Sequence, residues 1–208
     1  MFWLALTTFA IVVLAMGVLV RGNRSIRFLR DIPPALPARP PRVSVVIAAR
    51  DEARGIAAAL ASLLAQDYPD YEVIVVDDRS ADATPAILAG VAARDARLTV
   101  LRIDDLPAGW LGKNHALERG ARAATGSILV FADADVVMRP DVLARAVSYA
   151  LTARRDHVAI APEIVAPGVL RGSGACHGRA KSVKNMVKAP MNMPSSTPGA
   201  TISGAIAK

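Results

Sequence analysis

From residue 43 to residue 164, short β-branched apolar runs alternate with stretches of helical spacing. "VSVVIAA" (43–49) predicts a buried strand, and "EARGIAAALASLLAQ" (52–66) predicts a helix through Ile56, Leu60, Leu63 and Leu64. "YEVIVVDD" (71–78) is a second strand, followed by a helix over 81–95 with Pro85 in its first turns. "RLTVLRI" (97–103) is a third strand and "GKNHALERGARAAT" (112–125) a helix. "GSILVFAD" (126–133) is a fourth strand, residues 139–153 a helix opened by Pro140, and residues 156–164 a fifth strand. Units of about thirty residues in this order imply a mostly parallel α/β sheet with helices on both faces. Continuous apolar strands fit burial on both sides. Ligands of such sheets bind at the carboxyl ends of the strands. The polar residues gather there: Asp51 and Glu52, Asp77 and Asp78, Asp133 and Asp135.

Upstream the pattern changes. "MFWLALTTFAIVVLAMGVLV" carries no charge and is apolar all round. About 20 such residues span the ~30 Å hydrocarbon core, so residues 1–21 are expected to be a single transmembrane anchor. A signal peptide is the rival reading, but no basic start and no small-residue cleavage site accompany the core. Arg21, Arg24, Arg27 and Arg30 follow at once, which by the positive-inside rule puts the rest of the chain in the cytoplasm, on the cytoplasmic (inner) membrane. Residues 22–42 form a basic linker with five prolines in "DIPPALPARPPR", semi-rigid and neither helix nor central strand. The globular domain is expected over 43–165.

Composition adds limits. The 208 residues allow one sizeable domain, and a single cysteine, Cys176, excludes a disulfide framework. A net charge of +7 suits nucleic acid or an anionic membrane. Its placement after the apolar stretch favours the membrane, and no nucleic-acid partner is expected. Neither a Gly-x-Gly-x-x-Gly fingerprint nor a Walker loop is present.

Two carboxylates at i and i+2, where a strand ends, point the same way in extended chain. Asp133 and Asp135 in "VFADADVV" would repel each other unless a cation lay between them and a ligand. Mg²⁺ or Mn²⁺ takes one or two carboxylates plus substrate phosphates, so the pair suggests a metal-bridged diphosphate. A solvated turn is the plain alternative.

The pieces "VSVVIAARDEARGIAAALASLLAQDYPDYEVIVVDDRSADAT" and "GWLGKNHALERGARAATGSILVFADADV", in this order, resemble the family 2 glycosyltransferases of GT-A fold. "GWLGKNHAL" is similar to the membrane-associated bacterial subgroup that includes hopanoid- and carotenoid-linked transferases. The resemblance implies an inverting enzyme that moves a sugar from a nucleotide-diphosphate sugar to a lipid or polyprenyl acceptor, with a divalent metal. By the same resemblance Ala48, Ala49 and Glu52 line the base pocket, and Asp77 or Asp78, with Asp78 favoured, bonds the base or ribose. Lys113 approaches the diphosphate. Asp133 and Asp135 form the DXD pair, with Asp135 the closer metal ligand. Each has a plain alternative: Glu52 as a first-turn charge, Asp77 and Asp78 as a strand end, Lys113 as a solvated helix residue. His115 and His157 read as structural, and Trp110 as either core or a cover for the sugar pocket.

The family's acidic general base, often Glu-Asp, and its Gln-x-x-Arg-Trp motif lie downstream of the DXD pair. After Glu163 this chain has no Asp or Glu, so no catalytic base is assigned. Residues 166–208 show no periodicity and are expected to be a disordered tail. The abrupt change points to a lost reading frame near residues 165–172, hence a truncated and poorly active enzyme. The alternative is a non-catalytic nucleotide-sugar-binding remnant or regulatory partner. A nucleotidyltransferase would need a Gly-rich, Arg-bearing loop after the first strand, and an Asp-x-Asp phosphatase would carry its pair there; neither pattern is found.

Overall fold

The computed structural model describes residues 2–24, 27–161 and 182–188. Helix α1 (Phe2–Arg24) stands outside the core, with Trp3 74% and Leu14 70% exposed. Its Phe2–Gly22 segment is long and apolar enough to cross a membrane, with a mean hydropathy of 2.4.

The core is a sheet of β1 (Val43–Ala49), β2 (Tyr71–Asp78), β3 (Leu98–Ile103), β4 (Ile128–Asp133), β5 (His157–Ala161) and β6 (Ser182–Lys188), in the order β3-β2-β1-β4-β6-β5. Strands β1 to β4 pair in parallel. Both faces of the central strands are covered. Val43, Val45 and Ile47 of β1 join Val73 and Val75 of β2 in one cluster with α2 (Ile56–Leu64), α3 (Thr84–Ala92) and α5 (Val142–Thr152). Ile74 and Val76 face the other way, against Ala116 of α4 (Gly112–Ala123). That two-sided burial is why the middles of β1 and β2 read as continuous apolar runs, residues 45–49 and 73–76.

One strand departs from expectation. β6 lies inside the stretch expected to be disordered, antiparallel to both β4 and β5. "SVKNMVK" does not alternate strictly, and its pairing with β5 carries a register shift between Val158 and Ile160, which hides the period. Residues 162–181 and 189–208, with Glu163 and Cys176, lie outside the described residues.

The linker is seated on the domain. Leu29 and Leu36 pack against the larger cluster. Arg145 donates to the carbonyls of Arg30 at 3.0 Å and Ile32 at 2.5 Å, and the Tyr68 hydroxyl donates to Pro41 O at 2.6 Å.

Glu72 fastens the amino ends of the strands. It accepts hydrogen bonds from Ser44 Oγ at 2.6 Å, Thr125 N at 2.8 Å and Thr125 Oγ1 at 2.7 Å. Burial pushes its carboxyl up, but these bonds and Arg42 outweigh burial and leave it below the ordinary value. The folded state therefore gains from ionised Glu72 above the unfolded value near pH ~4.3, and loses that gain as pH falls through the lower folded value. Glu72→Gln is expected to cost about 1–2 kcal/mol at pH 7. In urea unfolding the gap to the parent should close below pH ~4.

Candidate functional site

The strand order reverses at β1, with β2 and β3 on one side and β4 on the other. A crevice opens at the carboxyl ends where such a reversal occurs. Register then sets the neighbours: Ala48 lies beside Asp133, Ala49 beside Asp77, and Asp77 beside Arg102. All eight residues expected from the sequence stand at this end of the sheet or on the turns and the helix start that border it.

The turn after β1 is clamped by the turn after β2. Asp51 has φ 54°, and its N–H donates to Ser80 Oγ at 3.0 Å while its Oδ1 accepts from Ala81 N at 2.8 Å. Glu52 N–H donates to Thr84 Oγ1 at 2.9 Å, and Ala53 N–H to Asp82 Oδ2 at 3.0 Å. Ser80, Asp82 and Thr84 were not among the expected site residues. Their signal is an acceptor at every second position of "RSADAT", which also passes for a helix cap.

The two aspartates of β2 differ in use. Asp77, 1% exposed, holds Arg102 at 2.7 Å and accepts Ser80 N–H at 3.2 Å. Both of its oxygens are engaged within the protein. Asp78, 3% exposed, accepts from Arg79 Nε at 2.8 Å through Oδ1. Its Oδ2 faces the start of α4 so closely that a Cβ on Gly112 would lie 2.5 Å away. Glycine is needed there for the approach. Arg79 has φ 57°, and its Nη2 is buried without a hydrogen-bond partner.

Lys113, in the first turn of α4, places Nζ 2.5 Å from Asp133 Oδ1, with the side chains 62% and 45% exposed. Asp135 is exposed on the turn beyond β4. Glu52 belongs to the same electrostatic group. Burial raises its carboxyl above the ordinary value, Asp135, Asp133 and Asp82 add to the rise, and Lys113 opposes it. His115 is 8% exposed, with Nδ1 buried and without a hydrogen-bond partner, and its ring meets Trp110 edge-on at 5.5 Å. Trp110 is 43% exposed, so it does not fill the core.

Among the described residues no group of three His, Cys, Asp or Glu could hold a metal. Two exposed carboxylates with a lysine ammonium already on one of them still suit a hard cation whose other ligands are phosphate oxygens and water.

The model of glycosyl transferase family 2 matches residues 44–179. The chain belongs to this family. The succinoglycan biosynthesis protein ExoO of Rhizobium meliloti is 40% identical over 118 residues, 57% of this chain and 32% of that protein. The beta-monoglucosyldiacylglycerol synthase of a Nostoc species is 35% identical over 144 residues, 68% of this chain and 29% of that protein. Among solved structures, the mannosyltransferase PcManGT from Pyrobaculum calidifontis in complex with GDP-Man and Mn²⁺ superposes with a TM-score of 0.56 at 32% identity, covering 73% of this chain and 43% of that one. The sheet and its flanking helices are thus the GT-A fold of a family 2 glycosyltransferase. This chain spans about a third of the length of those two curated relatives.

Proposed function

We propose that the crevice binds a nucleotide-diphosphate sugar and that the protein transfers the sugar, with inversion, to a lipid acceptor at the cytoplasmic membrane. The observation that carries this reading is the meeting of Asp133, Asp135, Lys113 and Glu52 at the strand-order reversal, one strand away from Asp78. Asp78 accepts a hydrogen bond from the base or ribose. Ala48, on the α4-side face that Val76 and Asp78 share, leaves room that a larger side chain would fill, whereas Ala49 is 1% exposed in the core cluster on the other face. Lys113 meets the diphosphate. Asp133 and Asp135 hold a divalent cation, Mg²⁺ or Mn²⁺, which when bound supplies charge neutralisation for the departing nucleoside diphosphate. Catalysis by these residues is positioning plus electrostatic stabilisation.

GDP-Man and Mn²⁺ in the PcManGT complex, and the glucosyldiacylglycerol named for the Nostoc relative, support the donor and acceptor classes. Helix α1 and the four arginines from Arg21 to Arg30 support the anchor. The test is calorimetric titration of the full chain in nanodiscs with GDP- and UDP-sugars, with and without Mn²⁺. At least one donor is expected to bind in the ~1 μM–1 mM range usual for substrates, and only with the metal. Failure of every donor to bind would reject the reading.

A further inference from the structure

Lys113 sits where the helix dipole alone would not put it. It is the second residue of α4, where the positive end of the helix dipole disfavours a cation. No side chain caps this helix start, so its first N–H groups add to the positive field. What holds the ammonium there is Asp133, at 2.5 Å. The pairing also relieves the crowding of Glu52, Asp133 and Asp135, since Lys113 is the cation that opposes the rise at Glu52.

We propose that Lys113 is the resident counter-cation of the DXD pair, a positioning residue that exchanges partners when donor and metal arrive. Without them its ammonium neutralises Asp133. With them it releases the Asp133 oxygen and swings to the diphosphate, where the start of α4 already favours an anion. A side chain 62% exposed on a flexible four-carbon arm can make this move without rearranging the fold. The inference rests on the donor-site reading above. It adds that one residue opposes the metal when the metal comes alone and assists it when the metal comes with a nucleotide.

The two roles give opposite signs for one substitution. An exposed ion pair is worth little, so its removal should tighten Mn²⁺ binding in the absence of nucleotide by only about 2–5-fold. A charge-assisted bond to phosphate is stronger, so the same change should weaken binding of UDP or GDP in saturating Mn²⁺ by about tenfold or more. The experiment is Mn²⁺ titration by EPR on the full chain in nanodiscs, first alone and then with UDP or GDP, for the parent, Lys113→Gln and Lys113→Arg. Lys113→Gln should shift the two affinities in opposite directions, and Lys113→Arg should keep both near the parent. Shifts of one sign, or an unchanged affinity for Mn²⁺ alone, overturn the exchange while leaving the donor site standing. A parent that binds neither Mn²⁺ nor nucleotide overturns both.

Discussion

Asp135→Ala is expected to abolish metal-dependent nucleotide binding while leaving the fold intact. Asp135 is exposed on the turn that follows β4. Its packing duty belongs to Cα and Cβ, which lie 3.4 Å from the position a Cβ would take on Gly55. Alanine keeps both atoms, so the stability change should stay within about 0.5 kcal/mol. The carboxylate itself has no such substitute. Loss of residues that merely support metal ligands costs 10–100-fold in affinity as a rule, so loss of a direct ligand should cost about 100-fold or more. In a titration of the full chain with UDP or GDP, the Mn²⁺-dependent part of the binding should vanish. Asp135→Asn keeps shape but loses charge and should fall nearly as far. Unchanged affinity in both variants would mean that the pair holds no cation, and would return Asp-x-Asp to its plain reading as a solvated turn.

Most of the fold and much of the site were legible for one reason: the information lay in local periodicity and in strand ends. β1 and β2 have the bounds their runs at 43–49 and 71–78 imply, because burial on both faces keeps their middles apolar and leaves polar residues to the ends, Ser44 and Glu72 at one and Asp77 and Asp78 at the other. The helix starts were less legible. Residues 52–55 and 81–83 fit the helical pattern, yet they are taken up by the bonds that tie Asp51, Glu52 and Ala53 to Ser80, Ala81, Asp82 and Thr84. Those partners are about thirty residues apart, and no local period records such a pairing. The same distance problem kept Asp77 and Asp78 together as alternatives. What distinguishes their surroundings is Arg102 on β3, which engages Asp77, and Gly112 on α4, which closes on Asp78. β6 escaped because a strand paired through a register shift need not alternate.

Gly120→Val is expected to lower stability and donor affinity together, and the reason lies in how α4 meets the sheet. A Cβ at Gly120 would fall 2.4 Å from Val46 Cγ1 and 3.1 Å from Val76 Cγ2. Val46 and Val76 are fully buried in β1 and β2, and β-branched side chains are stiff at χ1, so close packing leaves them little room to turn aside. The helix must therefore lift. Overpacking of this kind costs about 1–3 kcal/mol, against a gain of only a few tenths from the better helix propensity of valine over glycine. The melting temperature should fall by roughly 5–10 °C. Gly90 on α3 supplies the contrast, because nothing lies within 4 Å of its missing Cβ. Gly90→Ala should therefore stabilise by about 0.5–1 kcal/mol. The functional consequence separates α4 from an ordinary core helix. Gly112 and Lys113 stand two turns before Gly120 on the same rigid element, one against Asp78 and the other on Asp133. A helix lifted at Gly120 withdraws both, so UDP or GDP binding in Mn²⁺ should weaken well below the melting transition. If Gly120→Val melts earlier yet binds nucleotide as the parent does, the site does not depend on the seat of α4, and Lys113 reaches its partners by side-chain freedom alone.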